Sequence, residues 1–220
     1  MAKNKQKKFD DVARFENVFE YTDFQEENLE KPKGKWNSEI FKNKNPIVLE
    51  LACGKAEYTV NLARKYPGKN FIGIDKKGWR IWSGAKVAID ESLTNTHFIR
   101  MFIDHLDEYF APNEVDEIWI IFPDPFLRGS RESNRLTAPK FLNIYKKILK
   151  PGAIIRLKTD SPELFSYTLE VIESEQCKII DRVDDVYKER PDDDELSIKT
   201  FYEQMHLQKG KTISYIAFQL

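Results

Sequence analysis

The chain has 220 residues, 41% of them hydrophobic and 32% charged, a composition that suits one soluble globular domain with enough apolar material for a core. Its formal net charge of −1 and pI of about 6.4 argue mildly against a nucleic-acid partner, because phosphate binding is dominated by Lys and Arg. No apolar run reaches the roughly 18 residues of a membrane span. No apolar stretch follows the start M-A-K-N-K-Q-K-K, and Cys53, Cys177 and three scattered histidines form neither a disulfide framework nor a metal pattern. The expectation is a cytosolic protein without metal or membrane attachment, as a monomer or homodimer.

Residues 1–45 are polar with interspersed aromatics (Phe9, Phe15, Phe19, Tyr21, Phe24, Trp36) and read as a partly ordered N-terminal arm whose first eight residues are mobile. Residues 46–220 read as a single domain. Ile47 to Leu51 is a short β-rich run ending at Ala52-Cys53-Gly54. Tyr58, Leu62, Ala63 and Tyr66 then recur at helical spacing until Pro67-Gly68 stops them. Asn70 to Asp75 is a second strand, and Ile81, Ala85, Ala88 and Ile89 mark one face of a second helix. His97 to Phe102 and Glu117 to Phe122 are a third and a fourth strand, the latter nearly all apolar and therefore central. After Pro123-Asp124-Pro125 a polar loop runs to about Asn134. A helix follows through Phe141, Leu142, Tyr145, Ile148 and Leu149, closed by Pro151-Gly152. Ala153 to Leu157 is a fifth strand, Pro162 to Ser174 a helix, and 177–184 and 212–219 are two further strands. Strands alternating with helices imply a mostly parallel sheet, with ligands beyond the carboxyl ends of its strands.

The chemistry-bearing residues gather at those ends. The first turn, Glu50 to Ala56, has only Gly54 where a dinucleotide site wants three glycines, and Glu50 at the strand end suits a cationic ligand better than a pyrophosphate. A plain tight turn with a solvated glutamate is the alternative. Asp75 is placed to accept ribose hydroxyls of an adenosine cofactor, or to cap a helix. Asp104 reaches the adenine region or caps the short turn at Leu106. In Phe122-Pro123-Asp124-Pro125-Phe126 two prolines stiffen the backbone around an acid at a strand end, which suits an active site, although a stiffened strand exit would look the same. Arg128, Arg131 and Arg135 are spaced to serve phosphates or to line a solvated loop. Lys158-Thr159-Asp160 and Thr200-Phe201-Tyr202-Glu203 each pair a hydroxyl with a carboxylate. Such carboxylates are natural acceptors for guanine N1 and N2 donors, and both stretches are also compatible with helix caps.

Together these motifs resemble one family, the bacterial tRNA (guanine-N7)-methyltransferases of the class I, Rossmann-like type. The resemblance covers about residues 45–220 and rests on F-P-D-P, K-T-D and T-F-Y-E in that order, downstream of E-L-A-C-G and G-I-D. It implies an enzyme that uses S-adenosylmethionine to form 7-methylguanosine in tRNA, in the variable loop. The implied fold is α/β: a mostly parallel seven-stranded sheet with one antiparallel strand and helices on both faces. Glu50, Gly54, Asp75, Asp104 and Asp124 are the implied cofactor site, with Asp124 also the catalytic position. Arg128, Asp160, Thr200, Phe201, Tyr202 and Glu203 are the implied substrate site. Ser130, Arg131, Glu132, Ser133, Asn134 and Arg135 are the implied RNA-contact segment.

Three departures stand out. Ala52 occupies a position where the family has glycine, Phe126 replaces a tryptophan, and Arg128-Gly129-Ser130-Arg131 is less basic than the family's usual run. Rival readings are a class I methyltransferase acting on a small molecule or protein, a nicotinamide oxidoreductase, and a non-catalytic RNA- or protein-binding module on a degenerate methyltransferase fold.

Overall fold

The computed structural model describes residues 2–21 and 31–220. The continuous apolar runs become buried parallel strands β2 (Ile47–Leu51), β3 (Asn70–Asp75), β4 (Thr96–Arg100) and β5 (Val115–Ile121). Strands β6 (Leu149–Thr159), β7 (Lys178–Val183) and β8 (Ser214–Gln219) complete the seven expected. β8 is antiparallel to both of its neighbours, so it is the one reversed strand. An eighth strand comes from the arm: β1 (Val18–Glu20) pairs parallel with β4 at the sheet edge. The order is β1-β4-β3-β2-β5-β6-β8-β7. From β2 the chain winds outward through β3 and β4, then returns to lay β5 on the other side of β2. The switch point, where such sheets bind ligands, therefore lies between β2 and β5.

Alternation along each strand divides the core between two faces. On one face, Leu49, Ile118, Ile120 and Leu157 pack against α4 (Leu106–Tyr109), α5 (Pro139–Ile148) and α6 (Pro162–Ser174). On the other, Val48, Trp119 and Tyr215 pack against α2 (Glu57–Lys65), and Phe98 packs against Ile81 and Ala85 of α3 (Gly78–Asp90). Two short helices, α7 (Val186–Glu189) and α8 (Phe201–Gln208), complete that side. Helix starts follow local chemistry: Pro139 and Pro162 open α5 and α6, and the Ser161 hydroxyl accepts from Leu164 N at 3.2 Å.

The arm is more structured than its sequence pattern suggests. Its first residues form α1 (Ala2–Val12), which packs on α3, and Trp36 begins a π-helical turn, fully buried and donating Nε1 to Tyr109 O at 2.9 Å. Those contacts are all long-range in sequence, which is why no local period betrayed them. Phe24 and the Lys3 side chain lie outside the described residues. Among the described residues no helix is long and apolar enough to cross a membrane, and no cluster of His, Cys, Asp and Glu could hold a metal.

Candidate active site

The first turn is held by the two acids that flank it. Asp75, at the end of β3, accepts from Gly54 N at 3.0 Å and from Lys77 N at 2.8 Å, one bond per carboxylate oxygen. Each oxygen keeps a second lone pair for a hydroxyl. Glu50 points to the α2 side of the sheet, where it accepts from Thr59 N at 2.7 Å and from the Thr59 hydroxyl. Ala56, the residue before α2, offers no side-chain cap, so Glu50 satisfies the helix start from outside. Burial pushes its carboxyl up from 4.5 to about 8, against the pull of the Thr59 bonds. Ala52 and Ala56 are both left-handed, each with φ 56°, which explains the glycine usual at the first of these positions. A Cβ on Gly84 would come within 2.6 Å of the Ala56 Cβ, so only glycine lets α3 pack this close to the turn.

This donor set fits an adenosine-bearing cation better than a pyrophosphate. The Gly54 amide, which a pyrophosphate would need, is already donated to Asp75. Carboxylates rather than cations flank the turn, and a Cβ on Gly54 would meet nothing within 4 Å, so the space beside it is open. Asp104 lies farther out on the same rim, half-exposed and ion-paired with Lys140 at 2.8 Å.

Across the switch point, β5 ends in the proline-flanked corner. Phe122 and Phe126 are both left-handed, with φ 47° and 41°, so the chain turns sharply on either side of Asp124. Asp124 is exposed and accepts from Phe126 N at 3.0 Å. Arg135, expected on the RNA-facing loop, is instead only 4% exposed. Its guanidinium donates to Pro125 O at 2.9 Å and Phe126 O at 3.2 Å and lies 4.3 Å from the Tyr167 ring centroid. It is an internal brace for the corner. Arg128, Ser130, Arg131, Glu132, Ser133 and Asn134 remain exposed on the following turn.

The K-T-D and T-F-Y-E stretches meet through a buried ion pair. Lys158 and Glu203 are both fully buried, with Nζ 2.5 Å from Oε1. Burial pulls the Lys158 ammonium down, against the Glu203 carboxylate. Lys158 also donates to Leu196 O at 2.6 Å, and its carbonyl accepts from Phe122 N at 2.9 Å. Glu203 accepts from Tyr187 Oη at 2.7 Å and from Thr200 N at 3.3 Å, while Glu203 N donates to the Thr200 hydroxyl at 3.1 Å. Thr200 and Glu203 thus form a capping box that starts α8. Glu203 has both oxygens committed inside the protein, whereas Phe201 and Tyr202 stand out 47% and 46% exposed. Lys55 of the first turn lies 4.1 Å from the Phe201 ring centroid, which brings α8 over the cofactor turn. Asp160 pairs with Lys211 at 2.5 Å, and His206 Nδ1 lies 3.2 Å from it but out of line for a hydrogen bond.

The strand ends therefore gather Glu50, Gly54, Asp75, Asp124, Asp160 and the start of α8 around β2, β3, β5 and β6, with Asp104 at the periphery. Sequence reasoning did not separate Lys158 from its neighbours. Its strand also carries Lys150 and Arg156, so a basic residue there is no signal of its own. Thr59, Tyr187 and Lys55 carried none.

Residues 44–216 match a family model described as a putative methyltransferase. The chain is 48% identical to a tRNA (guanine-N(7)-)-methyltransferase of Christiangramia forsetii, covering 100% of this chain and 99% of that one. It is 46% identical to another of that name from Bacteroides thetaiotaomicron, covering 100% of this chain and 87% of that one. Among solved structures, the 16S rRNA methyltransferase KamB superposes with a TM-score of 0.66 over 87% of this chain and 95% of its own, at 14% identity, a likeness of fold alone.

Proposed function

Since the chain belongs to the tRNA (guanine-N7)-methyltransferase family, it is an enzyme that methylates guanine-N7 of tRNA with S-adenosylmethionine, and we propose how this site divides that work and that the target lies in the variable loop. S-adenosylmethionine, when bound, supplies a methyl group made electrophilic by its sulfonium. Asp75 holds the ribose hydroxyls with its remaining lone pairs, Glu50 offers negative charge at the switch point, Gly54 leaves the space open, and Asp104 serves the adenine end.

Guanine-N7 already carries a lone pair in the neutral base, so no residue has to remove a proton to make the nucleophile. What the protein supplies is position. Asp124 orients and electrostatically supports the reacting pair from its braced corner. Asp160 receives donors of the guanine edge, with Arg128 beside the corner for the substrate phosphate. Thr200 and Glu203 act by fixing the start of α8, which presents Phe201 and Tyr202 as faces for the base. Ser130 to Asn134, with Arg131, meet the RNA backbone.

The observation that carries this reading is the placement of an exposed, doubly braced Asp124 across the switch point from the cofactor turn. Labelled S-adenosylmethionine and unmodified tRNA transcript, followed by nucleoside analysis, should yield labelled 7-methylguanosine. A transcript whose variable-loop guanine is replaced by adenine should yield none. Absence of label in the first transcript would defeat the reading, and label persisting in the second would move the target elsewhere.

A further inference from the structure

The arm helix and the helix it packs against run in the same direction. Lys5 lies 5.7 Å from the Trp79 ring centroid and Lys8 lies 4.3 Å from that of Trp82, while Asp11 accepts from Trp82 Nε1 at 2.9 Å. The contacts thus advance together, from Lys5 at Trp79 to Lys8 and Asp11 at Trp82. Because α3 begins directly after Asp75, at the carboxyl end of β3, this parallel packing carries the basic start of α1 to the rim where the active site lies. There Lys5 joins Lys76, Lys77 and Arg80. None of these four, nor Lys8, has a carboxylate partner among the described residues. Elsewhere the surface lysines and arginines are commonly neutralised, as in Lys150–Asp116 at 2.7 Å and Arg64–Glu91 at 2.5 Å.

At the rim, aromatic rings take the place of carboxylates. Arg80 lies 5.3 Å from the Trp79 centroid, on the ring that Lys5 also approaches, and Lys76 lies 5.9 Å from that of Phe102. A ring face holds a cation in place without cancelling its charge or consuming its N–H donors. Neutralising carboxylates would do both. Five unneutralised cations, four of them held on rings, on a chain of net charge −1, form a track for a polyanion rather than a solvated face.

We infer that the junction of α1 and the start of α3 is a second tRNA-binding surface, on which Lys5, Lys8, Lys76, Lys77 and Arg80 contact the sugar-phosphate backbone outside the target loop. The inference rests on tRNA being the substrate. It assigns binding to the side of the cofactor turn opposite the Arg128 to Asn134 segment, so the tRNA spans the active site and is gripped at both edges. Contacts of this kind position the RNA without reading sequence.

The test uses the unaltered protein. Lysines are acetylated with and without saturating unmodified tRNA, and the modified positions are quantified by mass spectrometry. Lys5, Lys8, Lys76 and Lys77 should be protected several-fold, while exposed Lys42 and Lys44, before β2, and Lys178, at the start of β7, lie toward the amino ends of the strands and should react equally in both samples. Equal reaction at the first four overturns the inference. In parallel, the pairs Lys5→Gln with Lys8→Gln and Lys76→Gln with Arg80→Gln should each reduce the slope of log KM for tRNA against log salt by about 1 to 2, with kcat and S-adenosylmethionine affinity retained. Arg80→Lys should keep the wild-type slope. A raised KM with an unchanged slope marks lost packing rather than lost phosphate contacts and would also defeat it. Failure of the wild-type protein to methylate tRNA would instead defeat the underlying functional reading, and that outcome is separable from these.

Discussion

The two halves of the active site are built from the same residue types held in opposite ways. Beside β2 and β3, the acids are held by backbone amides and one hydroxyl: Asp75 by the amides of Gly54 and Lys77, Glu50 by the amide and hydroxyl of Thr59. Beside β5 and β6, the holding groups are charged side chains: Lys158 to Glu203, Lys211 to Asp160, Arg135 to the corner carbonyls. Amide clamps fix a pocket for a cofactor that is the same at every turnover. Side-chain pairs across separate elements join the corner, β6 and α8 into one unit that must receive a large substrate. The difference predicts that disturbing the second half costs stability and turnover, whereas disturbing the first shows mainly in cofactor affinity.

The largest effect is expected at the buried pair. Glu203→Gln leaves the Lys158 ammonium buried without a countercharge, which typically costs about 3–5 kcal/mol. A denaturant titration should show this loss. Combining Glu203→Gln with Lys158→Met should recover most of it, because an uncompensated buried charge is worse than none. A double variant no more stable than the single one would show that the pair's hydrogen bonds to Leu196 O and Tyr187, rather than charge balance, hold the unit together.

At the corner, Asp124→Asn keeps the shape and the bond from Phe126 N but loses the charge. It should lower kcat by about a hundredfold, or ~2.7 kcal/mol, with S-adenosylmethionine affinity within a factor of about three. Turnover at the wild-type rate would remove Asp124 from the reaction. One step smaller, Arg135→Lys keeps a charge but cannot span two carbonyls. It should lower kcat by about tenfold while leaving the salt dependence of tRNA binding unchanged. Arg131→Ala should do the reverse, with kcat kept and the salt slope reduced by about 1. A reduced slope for Arg135→Lys would return that residue to the RNA surface.

The legibility of the molecule in its sequence follows the same division. The seven main strands and the order of α2, α3, α5 and α6 were readable because apolar runs and 3.6-residue spacing are local signals. Strand β1 was not, since three residues packed into an edge by Asn17 O and Arg100 leave no period of their own. The positions of Glu50, Asp75 and Asp124 followed from strand ends. The side-chain bracing of the corner and of α8 did not, because Arg135 lies ten residues from the carbonyl it braces and Glu203 lies 45 residues from Lys158. Arg135 and Arg131 look alike in sequence, and only packing against Tyr167 separates an internal brace from a surface cation.

On the cofactor side, Glu50 gives a pH dependence. Its carboxyl stands near 8 in the folded chain against 4.5 unfolded, so between those values the folded state holds a proton that the unfolded chain has lost. The ligand-free protein should therefore lose stability as pH rises through that window. A cationic ligand nearby favours the carboxylate. S-adenosylmethionine should thus bind several-fold more tightly at pH 8 than at pH 6 and release a fraction of a proton, visible as buffer-dependent heat in calorimetry. Glu50→Gln should abolish the proton release. Heat that does not vary with the buffer in the wild-type protein would place Glu50 out of contact with the ligand's charge.

The smallest effect separates two residues that share one backbone conformation. Ala52 and Ala56 both have φ 56°, where an alanine costs about 1 kcal/mol relative to a relaxed backbone. Glycine removes that strain but adds unfolded-state freedom of about 0.5–1 kcal/mol, so the backbone terms nearly cancel. Side-chain contacts then decide. The Ala56 methyl is fully buried against Gly84, whereas the Ala52 methyl is only partly buried at the edge of the turn. Ala52→Gly should therefore leave stability the same or raise it by up to about 0.5 kcal/mol, a shift in Tm of about 1–2 °C, and should not weaken cofactor binding. Ala56→Gly should lower stability by about 1 kcal/mol, because it removes a buried methyl and opens the contact between α3 and the turn. Equal effects of the two substitutions would mean that backbone strain alone sets the cost, and that the methyl of Ala52 is as much a part of the packing as that of Ala56.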